Sequence, residues 1–242
     1  MFYIFREHIK QSLAVIAFLI TLTACTSESY DAGDGPNSYL TADLVLLHTS
    51  QDKSVRSALL DDGTTLQFSN PFAQDWLTRP DSVYRALLYY DKTVAASAAA
   101  ASNPTATSIV RARSVRPVSV LRPVEAEDME TLRTDPVGFE SIWLSKNKSY
   151  INLSLLLKSG KTEADDALHA LGIVSHGTTT DADRRRTLHL TLYHDQGGVP
   201  AYYTVQQYVS IPTQLLEEAD TVELTLNTYN GKKIVKVAVS NL

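Results

Sequence analysis

Cysteine is almost missing from this chain: Cys25 is the only one among 242 residues. A single thiol makes no intrachain disulfide and no thiolate metal cluster. Long hydrophobic runs are missing as well. The most apolar segment, residues 13–20 (LAVIAFLI), is far shorter than the roughly 20 residues of a membrane-spanning helix. A polytopic membrane protein is therefore excluded. Positive charge is not in excess: 22 Lys and Arg face 27 Asp and Glu, for a formal net charge of −5. A negative body is a poor general binder of nucleic acid, and none is expected as a partner. Catalytic signatures are absent too. No GxSxG elbow occurs, and the six histidines form no HxH or HxxxH pair, so neither a serine-hydrolase elbow nor a zinc site is indicated. No cofactor is implied.

What is present begins with an address. Arg6 and Lys10 form a basic n-region, diluted by Glu7, ahead of the apolar segment. Small residues Thr23 and Ala24 precede Cys25. This is the layout of a secretory signal over residues 1–24. The tetrapeptide Leu22-Thr23-Ala24-Cys25 resembles the lipobox of bacterial lipoproteins. The resemblance implies cleavage between Ala24 and Cys25 and acylation of Cys25. The lipid then consumes the only thiol, which removes cysteine catalysis from consideration. Several acyl chains on one residue make a stable anchor, where one chain is marginal. Removing the leader takes the net charge from −5 to −6. Residues 25–38 are polar and turn-rich and read as a tether. Extended, residues 26–38 span at most ~45 Å; as a coil they average on the order of 20 Å. Glu28, Asp31 and Asp34 resemble the acidic signals that carry lipoproteins of Bacteroides-type bacteria to the surface, and they equally suit a solvated linker. The expected location is the bacterial outer membrane, periplasmic or surface-exposed, with the lipid as the membrane contact.

After the tether, apolar residues alternate with period 2. Strands are predicted over about 40–49, 55–60, 64–68, 82–90 and 107–120, the last interrupted at Pro117. Asp61-Asp62-Gly63 supplies turn chemistry, and Asn70-Pro71 is expected to end the third strand. The alanine-rich residues 94–102 read as a variable loop. Residues 125–135 have helical character and suit a connector. A second series follows at about 141–144, 150–158, 168–175, 187–194, 201–210, 222–229 and 234–239. This spacing suits a sandwich. Asn230-Gly231 is the strongest hairpin signal, and residues 212–219 suggest a short helix.

A family resemblance rests on the lipobox with its acidic tether, Leu60-Asp61-Asp62-Gly63, Ile142-Trp143-Leu144 before Tyr150-Ile151-Asn152-Leu153, His169-Ala170-Leu171, the run from Leu190 to Asp195, and the run from Leu224 to Gly231. In this order and spacing they resemble the NigD-like lipoproteins of Bacteroides-type bacteria. The resemblance implies an all-β fold: an N-terminal OB-like five-stranded barrel (39–124) followed by a C-terminal antiparallel β-sandwich (136–242). Predicted strand counts of five and about seven agree. The family name carries a link to bacteriocin production or immunity and brings no catalytic residues.

Three clusters remain as candidates. Arg111, Arg113 and Arg116 lie on one predicted strand, with Arg122 beyond it, and Arg111 and Arg113 share a face. OB folds commonly bind oligonucleotides or oligosaccharides, so these arginines are a candidate ligand surface. An edge strand guarded by cations is the more economical reading. Arg184, Arg185 and Arg186 follow Asp181 and Asp183 in a turn and read as local charge compensation. Tyr202, Tyr203, Tyr208 and Tyr229 are candidates for a sugar-stacking platform and equally for strand packing. His189 and His194 are predicted on opposite faces, His194 with a structural role. The expected function is a non-enzymatic envelope module that binds a protein or a glycan. The alternatives are a bacteriocin-immunity protein and a hydrolase with a dispersed site.

Overall fold

The computed structural model describes residues 40–92, 108–161, 168–216 and 219–239. Ala24, Cys25, the tether and the alanine-rich 94–102 segment lie outside them. Five strands, β1 (Leu40–Thr49), β2 (Val55–Leu60), β3 (Thr65–Phe72), β4 (Val83–Lys92) and β5 (Ser108–Pro117), close a barrel in the order β1-β2-β3-β5-β4. Alternation builds its interior: Val45 and Leu47 of β1, Ala86, Leu88 and Tyr90 of β4, and Val110 of β5 are all buried in one cluster. Gly63, with φ +89°, turns β2 into β3, and Asp62 Oδ1 accepts the Thr64 N–H at 2.8 Å. This is the turn that Asp-Asp-Gly predicts. The strand β3 runs past Asn70-Pro71 to Phe72, further than proline suggested. Phe72 pairs with Val55 after a register shift, and strand edges and bulges tolerate a missing N–H.

Two sheets form the sandwich. One has the order β14-β13-β11-β10-β7 and the other β6-β12-β9-β8. Their strands are β6 (Ser119–Val120), β7 (Pro123–Glu125), β8 (Gly138–Leu144), β9 (Tyr150–Ser159), β10 (Ala170–Thr180), β11 (Arg186–Asp195), β12 (Tyr203–Pro212), β13 (Thr221–Thr228) and β14 (Gly231–Ala238). Leu153 and Leu155 of β9, Leu188, Leu190 and Leu192 of β11, and Leu224 and Leu226 of β13 fill the space between the sheets. The structure departs from the sequence expectation in three places. The predicted fifth strand stops at Pro117; its last residues pair with β12 in the sandwich, as β7 does with β10. The sandwich is not purely antiparallel, because β7–β10, β6–β12 and β11–β13 are parallel pairs. The predicted helical segments are single 3-10 turns, Ala126–Asp128 and Thr213–Leu215, too short to present an amphipathic face.

His194 continues the inward face of β11, one step beyond Leu192, and is buried. Its Nδ1 lies 3.0 Å from the Asp135 carbonyl and its Nε2 2.9 Å from Nδ1 of His169, with the two rings stacked. His189 faces the other way, against Thr179 and Glu223. The opposite-face prediction therefore holds. A carbonyl only accepts, so His194 Nδ1–H donates to Asp135, and His169 Nδ1–H donates to His194 Nε2. Burial, with His194 adding to it and the Lys158 backbone opposing, holds the His169 pKa below its ordinary value of 6.5. The unfolded chain thus takes up this proton first. The stabilising contribution is present above the unfolded value and is lost as pH falls through it toward the lower folded value. Urea midpoints are expected to fall from pH 7.5 to pH 5.5, and His169→Gln is expected to flatten that decline. Equal slopes in the two proteins would show that His169 is not its source.

Candidate binding groove between barrel and sandwich

The outward face of β4 carries Arg85, Leu87 and Tyr89, alternating with the barrel core. An ordinary outward face is solvated, but Arg85 and Leu87 are buried. The sheet β6-β12-β9-β8 covers them. Leu44, Leu87 and Val118 form a small apolar cluster against Tyr89, Trp143 and Tyr208. Beside it the Arg85 side chain, 1% exposed, makes a two-pronged ion pair with Asp61 at 2.6 and 2.7 Å. Arg85 Nε also donates to Ser210 Oγ at 3.1 Å, and Nη2 donates to Asn152 Oδ1 at 3.0 Å. Asn152 Nδ2 donates to Asp61 Oδ2 at 3.0 Å and Ser210 Oγ to Asn152 Oδ1 at 2.7 Å. The guanidinium lies 4.3 Å from the Tyr150 ring centroid. Planar, five-donor guanidinium suits such a site, and lysine does not. The network ties the β2–β3 turn and β4 of the barrel to β9 and β12 of the sandwich.

Beside this network lies a groove. One cavity of about 360 Å³ is lined by Asp43, Asp61, Asp62, Leu87, Tyr89, Trp143, Lys146 and Tyr208 among others. A second, of about 230 Å³, shares Leu87, Tyr89 and Tyr208 with it and continues to Arg116, Ser119, Gln206 and Gln207. Together they fall in the range of small-molecule sites. Trp143 and Tyr208 meet edge to face, 6.4 Å between centroids. Next to them on the outer sheet face, Glu140 Oε2 accepts from Ser154 Oγ at 2.6 Å and from Gln206 Nε2 at 2.5 Å, and these bonds hold the Glu140 pKa below its usual range. Burial raises the Asp62 pKa, but bonds from Thr64 and the charge of Lys146 bring it below the usual value. The groove's carboxylates are thus engaged: Asp61 by Arg85, Asp62 by Thr64 and Asp43 by the Tyr90 hydroxyl at 2.8 Å. Among the described residues, no three His, Cys, Asp or Glu side chains converge as a metal site.

The three predicted ligand-surface arginines separate in the structure. Register shifts between Tyr89 and Tyr90, leaving Arg113 as the extra residue of a bulge in β5. Without the bulge, Arg116 would face opposite to Arg111 and Arg113; with it, all three are exposed. Arg113 pairs with Asp91. Arg116 alone lines the groove. Arg122 is exposed beyond Leu121. In the β10–β11 turn, Asp181 Oδ1 accepts the backbone N–H groups of Asp183 and Arg185, so it organises the turn through its backbone. The tyrosine platform does not form. Tyr203 and Tyr208 are an odd number apart on β12 and face opposite ways; Tyr202 and Tyr203 remain 78% and 51% exposed. Sequence reasoning missed Arg85, Asn152 and Trp143 as junction residues. The available signal was Arg85, a charge within the apolar run SVYRALLYY.

Comparison with known proteins supports the architecture. The family model of the NigD-like C-terminal β-sandwich domain matches residues 120–239. A NigD-like immunity protein from Bacteroides caccae ATCC 43185 is similar in structure, with TM-score 0.59 and 23% identity, covering 81% of this chain and 91% of that one. A protein of unknown function, DUF1344, from Bacteroides vulgatus ATCC 8482 has TM-score 0.60 and 15% identity, covering 84% and 92%. A candidate lipoprotein from Bacteroides fragilis NCTC 9343 has TM-score 0.57 and 12% identity, covering 84% and 99%. No curated protein matches the chain. At these identities the structural likeness speaks for the fold. Through the sandwich domain matched over residues 120–239, on a barrel-plus-sandwich architecture, the chain belongs to the NigD-like family.

Proposed function

We propose that this is a non-catalytic binding protein of the bacterial envelope, anchored in the outer membrane by lipid on Cys25, with its ligand site in the groove between barrel and sandwich. The observation that carries the reading is the junction itself. Two adjoining cavities share Leu87, Tyr89 and Tyr208, and Arg85 fixes their walls from behind. Half-buried aromatics with a few polar groups around them are what small ligand sites have in common. The carboxylates that line it already serve as acceptors in structural bonds, which suits recognition better than proton transfer. The lipobox supports the anchor, and no helix of the described residues is long and apolar enough to cross a membrane.

A footprint tests the site. Full-length protein in detergent is incubated with fractionated envelope glycans and peptides, and hydrogen exchange is followed. Slowed exchange in residues 42–44, 87–89, 143–146 and 206–208, with the bound material recovered unchanged, is the expected result. Protection elsewhere, or chemical conversion of the material, would overturn the reading. Separately, Cys25→Ala is expected to move the protein from the membrane to the soluble fraction.

A further inference from the structure

We infer that the groove takes an acidic oligosaccharide, its carboxylate or sulfate at the Arg116 end; this rests on the groove being the ligand site. The polar groups of the groove are mixed in kind. Asp62 accepts hydrogen bonds, Lys146 and Arg116 only donate, and Gln206, on the face of β12 that carries Tyr208, offers its amide oxygen. These groups surround an aromatic wall of Tyr89, Trp143 and Tyr208. A matching ligand must offer apolar faces to the rings and both donors and acceptors at its edges. A sugar ring has this composition, with C–H groups on its faces and hydroxyls around its rim. A polyproline segment also suits aromatic grooves. Its backbone offers acceptors only, so it brings no donor to Asp62 or to the Gln206 amide oxygen. An apolar helix matches neither end.

Charge orients the ligand. Three arginines stand at or near this junction, and two are occupied. Arg85 is buried on Asp61, and Arg113 is paired with Asp91. Arg116 is exposed and lines the smaller cavity. Asp43 and Asp62 lie in the larger cavity. Their charge disfavours an anion there and so sets the direction of the ligand. Two adjoining compartments on either side of Tyr89 and Tyr208 call for more than one sugar unit.

Calorimetry on the full-length protein in detergent tests this with four probes: a tetrasaccharide of neutral sugars ending in one glucuronate, the same compound methyl-esterified, the same neutral tetrasaccharide ending in one sulfated sugar and a proline-rich decapeptide. Esterification keeps the shape and removes the charge. An acidic tetrasaccharide is expected to bind at least about tenfold more tightly than the ester, the range of a charge-assisted hydrogen bond. Arg116→Gln, at an exposed position, is expected to close most of that gap, weakening the acid far more than the ester. Which acidic probe binds more tightly separates carboxylate from sulfate. A gap that stays as wide in Arg116→Gln, an ester that binds as well as the acid, or no binding by any tetrasaccharide would overturn the inference. Binding of the decapeptide alone, with its footprint in the groove, would end the glycan assignment and leave the groove standing as the ligand site.

Discussion

Arg85→Ala is expected to destabilise the protein by about 3–5 kcal/mol, the cost of removing one partner from a buried ion pair. The loss is larger than that of one salt bridge in water. Asp61, Asn152 and Ser210 each lose a donor in a place that water reaches poorly, and Tyr150 loses the cation over its ring. Urea denaturation of the full chain, followed by tryptophan emission, measures it. The two tryptophans report separately: Trp76 packs on Tyr84 in the barrel and Trp143 stands at the junction. The junction should loosen first, so the two signals should separate in Arg85→Ala. Arg85→Lys is expected to rescue little, because one ammonium does not replace a planar fork bound on three sides. The double variant Arg85→Met, Asp61→Leu should be less harmful than Arg85→Ala, since it buries no unpaired charge. A midpoint in Arg85→Ala equal to that of the parent would refute this role for Arg85.

Gly197→Ala is expected to cost about 2–4 kcal/mol. Gly197 has φ +60°, where an L side chain pays roughly 1–2 kcal/mol. A Cβ built there would also lie 2.2 Å from the Leu168 carbonyl oxygen. That oxygen is backbone, so the main chain leading into β10 must itself shift. His169 is the next residue, and its bond to His194 is 2.9 Å long. The strain should therefore reach the histidine pair, and the pH dependence of stability should change along with the midpoint. Gly63→Ala makes the control: its φ is also positive, but a Cβ there has open space. It should cost less than Gly197→Ala. Equal losses would mean that the contact with Leu168 adds nothing.

Much of this architecture was legible in the chain. β1 and β2 fall where the alternation places them, because a strand with one buried face must repeat with period 2. A hairpin joins β13 and β14 where Asn230-Gly231 places it, though not through the type I′ turn that Asn-Gly suggests: Gly231 has φ +101°, but Asn230 does not take the positive φ that such a turn requires. Periodicity failed where a strand is buried on both faces. In β9, Asn152 and Ser154 read as the solvent side of an alternating strand, yet both are buried. In β4, Arg85 reads as an outward charge and is the hub of the junction. The bulge at Arg113 was equally hidden, because one extra residue in a ladder leaves no mark in composition.

By itself the sequence determined that the chain is built of strands, that its thiol chemistry is confined to Cys25, and that its net charge is negative. These follow from residue counts and local period, which need no partner. Only the tertiary structure decided that Arg85, Asp61, Asn152 and Ser210 meet, that Arg116 alone of the candidate arginines reaches the groove, and that Tyr208 pairs with Trp143 rather than with the other tyrosines. The reason is physical. Which outward face becomes an interior is set when two independently patterned domains dock, and neither domain's own alternation records the surface it will cover.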